Sequence, residues 1–293
     1  MAFLLLLIVA VGFFPYKYSE KRASVGLDGM LFLTKYNLFR HFAGAVAGAI
    51  VLVLGNGKIH FDFYTILTSF VFGAMLFLCG YFGTYAFQIT TVAINNLFAS
   101  ASLIVPVIYG AVFLGQEITV GKIIGLLVFF FGVYLITSTK IEGDTKQKFG
   151  IITFLVLMGV LLTSGIANVS AMVFSEHVPD GNSLMYMVLS YLFASLFYAI
   201  ALPFFKIKGG NAKMPKTGYI FGGSAAISGF ILQLITTYLA GRVHAAILFP
   251  ITCGIGIIAS ALVGAMFFKE KLTVKNTIGI LIGITSIIMI NFL

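Results

Sequence analysis

Apolar runs of about 20 residues, following one another with only short polar joints between them, leave this chain few ways to fold. A bilayer core offers no water to backbone N–H and C=O groups, so a segment lying in it must satisfy them internally. The runs are too long for barrel strands and lack strict in-and-out alternation, so they read as helices. Measured against the length needed to cross the hydrocarbon core, they predict ten spans, at about 1–17, 31–54, 63–88, 93–114, 119–138, 149–174, 183–205, 217–240, 245–268 and 273–292. Hydrophobic residues make up 60% of the chain and charged residues 9%, where soluble domains carry roughly a quarter charged residues. The expected class is therefore an all-α integral membrane protein, with joints too short to hold a soluble domain.

Two stretches echo each other. Val92 to Ile136 holds two apolar runs hinged on GQEITVGK, and Arg242 to Ile290 repeats the design around FKEKLTVK. Thr119 and Val120 recur as Thr273 and Val274, and Gly125 recurs as Gly279, each 154 positions on, about half of the 293 residues. A duplicated unit accounts for this, with residues 1–140 as a first five-helix repeat and 141–293 as a second. An odd number of spans per copy makes the second enter from the opposite side, so the repeats are expected to be inverted about an axis in the membrane plane. The GxxxG pairs Gly44/Gly48 and Gly279/Gly283 predict close helix contacts, and Pro106 in mid-span four predicts a bend.

Lysine and arginine number 18 against 9 acidic residues, a formal net charge of +9. In a soluble domain that excess would suggest nucleic acid or acidic partners. Here the basic residues sit in joints between spans, so the expected partners are the lipid bilayer and a small-molecule substrate, with no nucleic acid. Thirteen of them follow odd-numbered spans and three follow even-numbered spans. The positive-inside rule then places the odd joints in the cytoplasm and both termini outside, in the plasma (cell inner) membrane. The N-terminal apolar block has no basic region before it and no small-x-small site after it. It reads as a first span, short and bent or ended at Pro15, rather than a signal peptide. Cys79 and Cys253 both lie in apolar runs and read as buried apolar residues; no metal or other cofactor is expected, and the expected state is a monomer.

Polar residues within spans are costly, so each needs a partner or a task. Tyr81, Tyr85 and Gln88 share one face of span three, and Asn95, Ser102 and Tyr109 recur along span four. In the second half the matching stripes are Ser224, Ser228, Gln233, Thr237 and Tyr238 in span eight, then Thr252 and Ser260 in span nine. Ser164 and Asn168 add a pair in span six. Two readings are open: hydrogen-bonded glue between helices, or the wall of a water-filled cavity. Amides fit the cavity better because each brings both donors and acceptors that apolar packing would not select. Expected substrate-binding residues are Gln88, Asn95, Asn168 and Gln233 as orienting groups, with Tyr81, Tyr85 and Tyr238 as walls or gates and Ser102, Thr237 and Thr252 beside them.

Fixed charge inside the spans is scarce. Glu117 and Glu270 fall at hinge ends, Asp62 before span three and Glu20 beyond span one, so no carboxylate is expected in mid-span and a proton relay is disfavoured. Lys35, Arg40 and His41 occupy the first half of span two, where they either snorkel to headgroups or anchor an anion. Motifs of catalysis are missing from the sequence, with no G-x-S-x-G, H-E-x-x-H, Walker loop or His/Cys ligand cluster, so an enzyme is not expected.

The run LGQEITVGKIIGLLVFFFGVYLI and its echo FFKEKLTVKNTIGILIGITSIIMI resemble the EamA repeat of the drug/metabolite transporter superfamily, in which a helix closes on a Glu, a Leu-Thr-like turn follows and a Gly opens the next helix. Arg40 matches an arginine common in the second helix of these proteins. The resemblance spans essentially the whole chain and implies ten helices around a central cavity lined by spans three, four, eight and nine with parts of one and six. It implies alternating access by movement of one repeat against the other. The first span lacks the membrane carboxylate of the four-helix multidrug members, which speaks against cationic drugs. The expected function is secondary transport of a small polar metabolite, an amino acid or related compound. The alternatives are an organic-anion or sugar-phosphate carrier using Arg40 or Lys35, and a non-transporting structural membrane protein.

Overall fold

Each predicted span folds as helix, and several helix boundaries have a local cause. In the computed structural model, residues 2–25, 29–55, 61–113, 119–137, 150–178, 181–209, 213–240, 245–269 and 274–292 are described. They form α1 (Ala2–Val25), α2 (Met30–Leu54), α3 (Phe63–Ile89), α4 (Val92–Ala101), α5 (Ile104–Phe113), α6 (Val120–Thr137), α7 (Ile151–His177), α8 (Ser183–Gly209), α9 (Lys216–Ala240), α10 (Ala245–Phe268) and α11 (Val274–Phe292). Asp62 starts α3 by accepting a 2.9 Å hydrogen bond from the Thr65 amide, and Thr91 starts α4 by accepting one of 3.2 Å from the Ile94 amide. Both satisfy amides that the first turn of a helix leaves without partners. Gly29, at φ 89°, enters α2 through a backbone region that side chains disfavour.

Among the described residues, α2, α3, α7, α8 and α9 are each long and apolar enough to cross a membrane, and shorter apolar helices accompany them. Large apolar side chains point outward on most helices, among them Val11, Leu54, Phe63, Val112 and Ile151. In water such a surface would drive association, whereas lipid tails solvate it at no cost. The chain is therefore a helical, membrane-embedded protein.

Two spans differ from expectation. α1 does not end at Pro15 but runs through it to Val25. Proline removes only one helical hydrogen bond, and the packing of α1 against α9, α10 and α3 holds the remaining turns together. Span four, expected as one helix over 93–114, is two. Pro106 has no N–H to give the Ser102 carbonyl four residues back. The chain turns tightly there, with Ser102 and Leu103 amides reaching the carbonyls of Ala99 and Ser100 at 3.3 Å. The separation of α4 from α5 follows.

The helices pair in a recurrent way. The most extensive contacts are α6 with α11, α2 with α8, α3 with α7, α1 with α9, α3 with α8 and α2 with α9. Small residues decide how close these pairs come. A side chain at Gly132 of α6 would meet the backbone of Gly279 and Gly283 in α11, so the predicted GxxxG of the last helix is a backbone contact. The GxxxG of α2 works differently: Gly44 and Gly48 make room for the rings of Tyr191 and Phe230. The expectations for Glu117, Glu270 and Thr273 and for the joint cations Lys58, Lys140, Lys146, Lys148, Arg242 and Lys271 lie outside the described residues.

Candidate functional site

A cavity of about 110 Å³, its apolar wall interrupted by a few polar side chains, lies inside the bundle between α1, α2, α3, α8 and α9. Its wall carries Phe13 and Tyr16 from α1, Arg40 and His41 from α2, Leu76 from α3, Tyr191 from α8, and Ala225, Gly229, Leu232, Gln233 and Thr236 from α9. Helical spacing accounts for the alignment, since Ala225, Gly229, Leu232, Gln233 and Thr236 recur at intervals of three, four and one along a single face. Gly229 has a steric reason, because a Cβ there would strike the Tyr16 ring at 2.8 Å.

Arg40 lies ten residues into α2, about 15 Å from its start at 1.5 Å per residue. Its guanidinium does not snorkel to a headgroup. It donates through Nη1 to Oε1 of Glu20 on α1, and both side chains are about nine-tenths buried. Lys17, one turn earlier on α1, donates to the other oxygen of the same carboxylate at 3.3 Å. The Lys17 ammonium also lies 4.9 Å from the centre of the Tyr16 ring. Glu20, expected beyond the first span, is therefore a buried carboxylate inside the bundle. The reason is the continuation of α1: once the helix passes Pro15, Phe13, Tyr16, Lys17 and Glu20 fall on one stripe, from which Glu20 reaches Arg40. Lys17 and Lys21, expected as joint charges, are buried as well. Lys21 gives its ammonium to the carbonyls of Phe87 and Thr90 (2.8 Å for the latter) at the C-terminal end of α3, where carbonyls lack helical partners and the dipole favours a cation.

His41 is anchored through Nδ1 to the Asn37 carbonyl at 2.8 Å and stacks on Tyr198 with ring centroids 5.4 Å apart. The guanidinium of Arg40 stands 5.8 Å from the centre of the Tyr36 ring, a cation–π distance. The Tyr36 hydroxyl is buried and has no hydrogen-bond partner among the described residues.

Of the sequence-predicted site residues, Arg40 and Gln233 line this cavity. The others lie elsewhere. Tyr81 shares a 2.6 Å hydrogen bond with Thr34, Gln88 donates to the Ser24 carbonyl at 3.0 Å, and Asn168 reaches Ser102 Oγ at 3.4 Å. Asn95 donates to the Gly83 carbonyl at 3.4 Å while its own oxygen is buried without a partner among the described residues. Thr237 faces the sulfur of Met187 at 3.8 Å, and Thr252 is buried. Tyr85 is half-buried against the apolar cluster formed by α3, α4 and α7. Tyr238 borders a separate hollow of about 440 Å³ with Leu5, Asn182 and Ser183. Lys35 borders another, with Phe42, Met214 and Tyr219, on a different face from Arg40. Residues the sequence reading passed over are Glu20, Lys17, Tyr16 and Tyr191. The available signal was the Phe13-Tyr16-Glu20 helical spacing, which carries meaning only when α1 is read through its proline.

No family model and no curated protein matches the chain. One solved structure, described only as "Crystal structure of protein", superposes with a TM-score of 0.65 at 13% sequence identity, covering 99% of this chain and 98% of the other. At that identity the likeness concerns the fold, which is shared over the whole length of both chains.

Proposed function

We propose that this chain is a secondary transporter of the EamA type, in the drug/metabolite transporter superfamily, moving a small polar metabolite across the plasma membrane by alternating access. The observation that carries the reading is the cavity with Arg40, His41, Gln233 and Thr236 in a bundle whose exterior is apolar. Burying such groups is costly unless they serve one another or a ligand. A glue-only role fits Gln88 and Asn168, which have partners elsewhere in the bundle, better than it fits Gln233, which borders the cavity.

The helix pairing supports two inverted copies. Moving each span five places along the chain turns the α3–α7 contact into α9–α1, and α3–α8 into α9–α2, while α2–α8 and α6–α11 map onto themselves. The cavity then sits between the copies, with α1, α2 and α3 on one side and α8 and α9 on the other, where rocking of one copy would expose it alternately. Removing Lys17 and Lys21 from the joints leaves eleven basic residues against three, which still supports cytoplasmic odd joints and outward termini. The position of Arg40 favours, as a second reading, a carrier of organic anions; Lys35 takes no part in the same cavity.

Reconstitution into liposomes with a panel of labelled amino acids, hydroxy acids and sugar phosphates tests the proposal. Saturable uptake of at least one is expected, together with reaction of Gln233→Cys with a water-soluble thiol reagent in a cysteine-free background. Uptake no faster than in protein-free liposomes, with Gln233→Cys inert, would refute transport.

A further inference from the structure

We propose that the cavity binds one short-chain monocarboxylate on Arg40, and that Glu20 is an internal competitor for that arginine, retained by Lys17 when the ligand takes its place. The inference deepens the transport reading and rests on it only for how the ligand arrives.

Charge is the first argument. Lys17, Glu20 and Arg40 form one buried chain, two cations around a single carboxylate. Lys17 alone neutralises Glu20, so the cluster carries one surplus positive charge, and it lies on the residue that faces the cavity. A buried surplus charge in an apolar bundle is costly until an opposite charge meets it. A monoanion closes the balance, a dianion such as phosphate overshoots it, and a cation enlarges the surplus.

Geometry is the second. Arg40 presents a planar fork of five N–H donors, and Glu20 is the acceptor it reaches among the described residues. Its contact with Glu20 uses Nη1 only, which leaves the fork without the two-point partner that a carboxylate supplies. The third argument is size. A volume of about 110 Å³ corresponds to three or four waters at roughly 30 Å³ each, enough for an acid of two or three carbons. Gln233 offers hydrogen bonds to a hydroxyl or keto substituent, Thr236, whose hydroxyl donates to the Leu232 carbonyl at 2.8 Å, can accept from a ligand hydroxyl, and Phe13, Leu76 and Leu232 bound the carbon chain. Binding transfers one Arg40 contact from Glu20 to the ligand, while Lys17 stays paired with the Glu20 carboxylate.

Two substitutions therefore act in opposite directions. Glu20→Gln frees Arg40 and tightens binding; Lys17→Gln leaves Glu20 wholly dependent on Arg40 and weakens it. Each effect is expected at about tenfold in Kd, the scale of one charge-assisted contact. The experiment is calorimetric titration of the purified full chain in nanodiscs with lactate, glycine, inorganic phosphate and chloride at matched ionic strength. Saturable lactate binding in preference to the other three, tightened by Glu20→Gln, weakened by Lys17→Gln and abolished by Arg40→Gln, supports the proposal. Preference for phosphate or glycine, an equal response to chloride, or both substitutions shifting Kd the same way overturns it. Should Glu20→Gln fail to fold, Lys17→Gln decides alone, and an unchanged or lower Kd for lactate overturns the competition. Failure is distinguishable from failure of the transport reading. Lactate binding without flux of any solute in liposomes removes transport and leaves the site, whereas flux of neutral solutes unaffected by Arg40→Gln removes the site and leaves transport.

Discussion

Gly73 offers a sharp test of how the helices are held. It lies in α3 against α8, and a Cβ built there would stand 2.6 Å from the Phe193 Cβ, 2.7 Å from the Ser190 carbonyl oxygen and 3.0 Å from the Ala194 nitrogen. Optimal carbon contacts need about 3.5–4.0 Å, and backbone atoms cannot rotate out of the way. Gly73→Ala must therefore wedge α3 and α8 apart. Overpacking of this kind costs about 1–3 kcal/mol. The wedge also strains two hydrogen bonds on the same interface, Ser69 to the Tyr186 carbonyl at 3.2 Å and Tyr198 to the Phe77 carbonyl at 2.7 Å, each worth roughly 0.6 kcal/mol in a membrane protein. Alanine returns up to about 1 kcal/mol of helix propensity, so a net loss of about 1–3 kcal/mol is expected. Gly83, ten residues further along α3, is the internal control: a Cβ there meets nothing within 4 Å. Gly83→Ala should be neutral or slightly stabilising. The assay is unfolding in detergent micelles, followed in a Cys253→Ala background by the reaction of Cys79 with a thiol-reactive fluorophore. If Gly73→Ala unfolds no earlier than Gly83→Ala, the reasoning that backbone proximity sets this interface is refuted.

Lys21→Met should cost about 1–3 kcal/mol, because it strips the cation from the α3 carbonyls. Arg22→Gln, at an exposed position beside it, should stay within roughly 0.5 kcal/mol; chemical denaturation of the two in parallel checks this. Tyr198→Phe removes the hydrogen bond to the Phe77 carbonyl and should lower stability by about 0.6–2 kcal/mol, read in the same assay. Gln233→Leu replaces an amide in the cavity wall with an apolar group of similar size. Uptake into liposomes should fall by about tenfold or more while unfolding is unchanged, and equal uptake would take Gln233 out of the site.

Much of the architecture was legible because lipid removes alternatives: a long apolar run in a bilayer is a helix wherever it lies in the chain. The Pro106 irregularity was legible for a similarly local reason, the missing N–H, although its outcome, two helices in place of one bent span, depends on the turn at Ser102 and Leu103. The site was only partly legible. Arg40 and Gln233 stood out as polar groups inside apolar runs. Gln88 stood out equally, yet its partner is the Ser24 carbonyl, 64 positions away, which no local pattern reveals. Glu20 was missed because KYSEKR reads as the polar end of a short helix.

What the sequence alone determined is the class of the molecule, a membrane-embedded bundle of apolar helices, and the presence of an internal echo, since these follow from periodicity and solvation along the chain. Tertiary structure decided which polar groups serve as glue and which surround a volume. The reason is physical: burial of Lys17, Glu20 and Arg40 becomes tolerable only when they meet, and they meet only because α1 continues past Pro15, packs along α9, α10 and α3, and brings Glu20 within reach of Arg40 on α2.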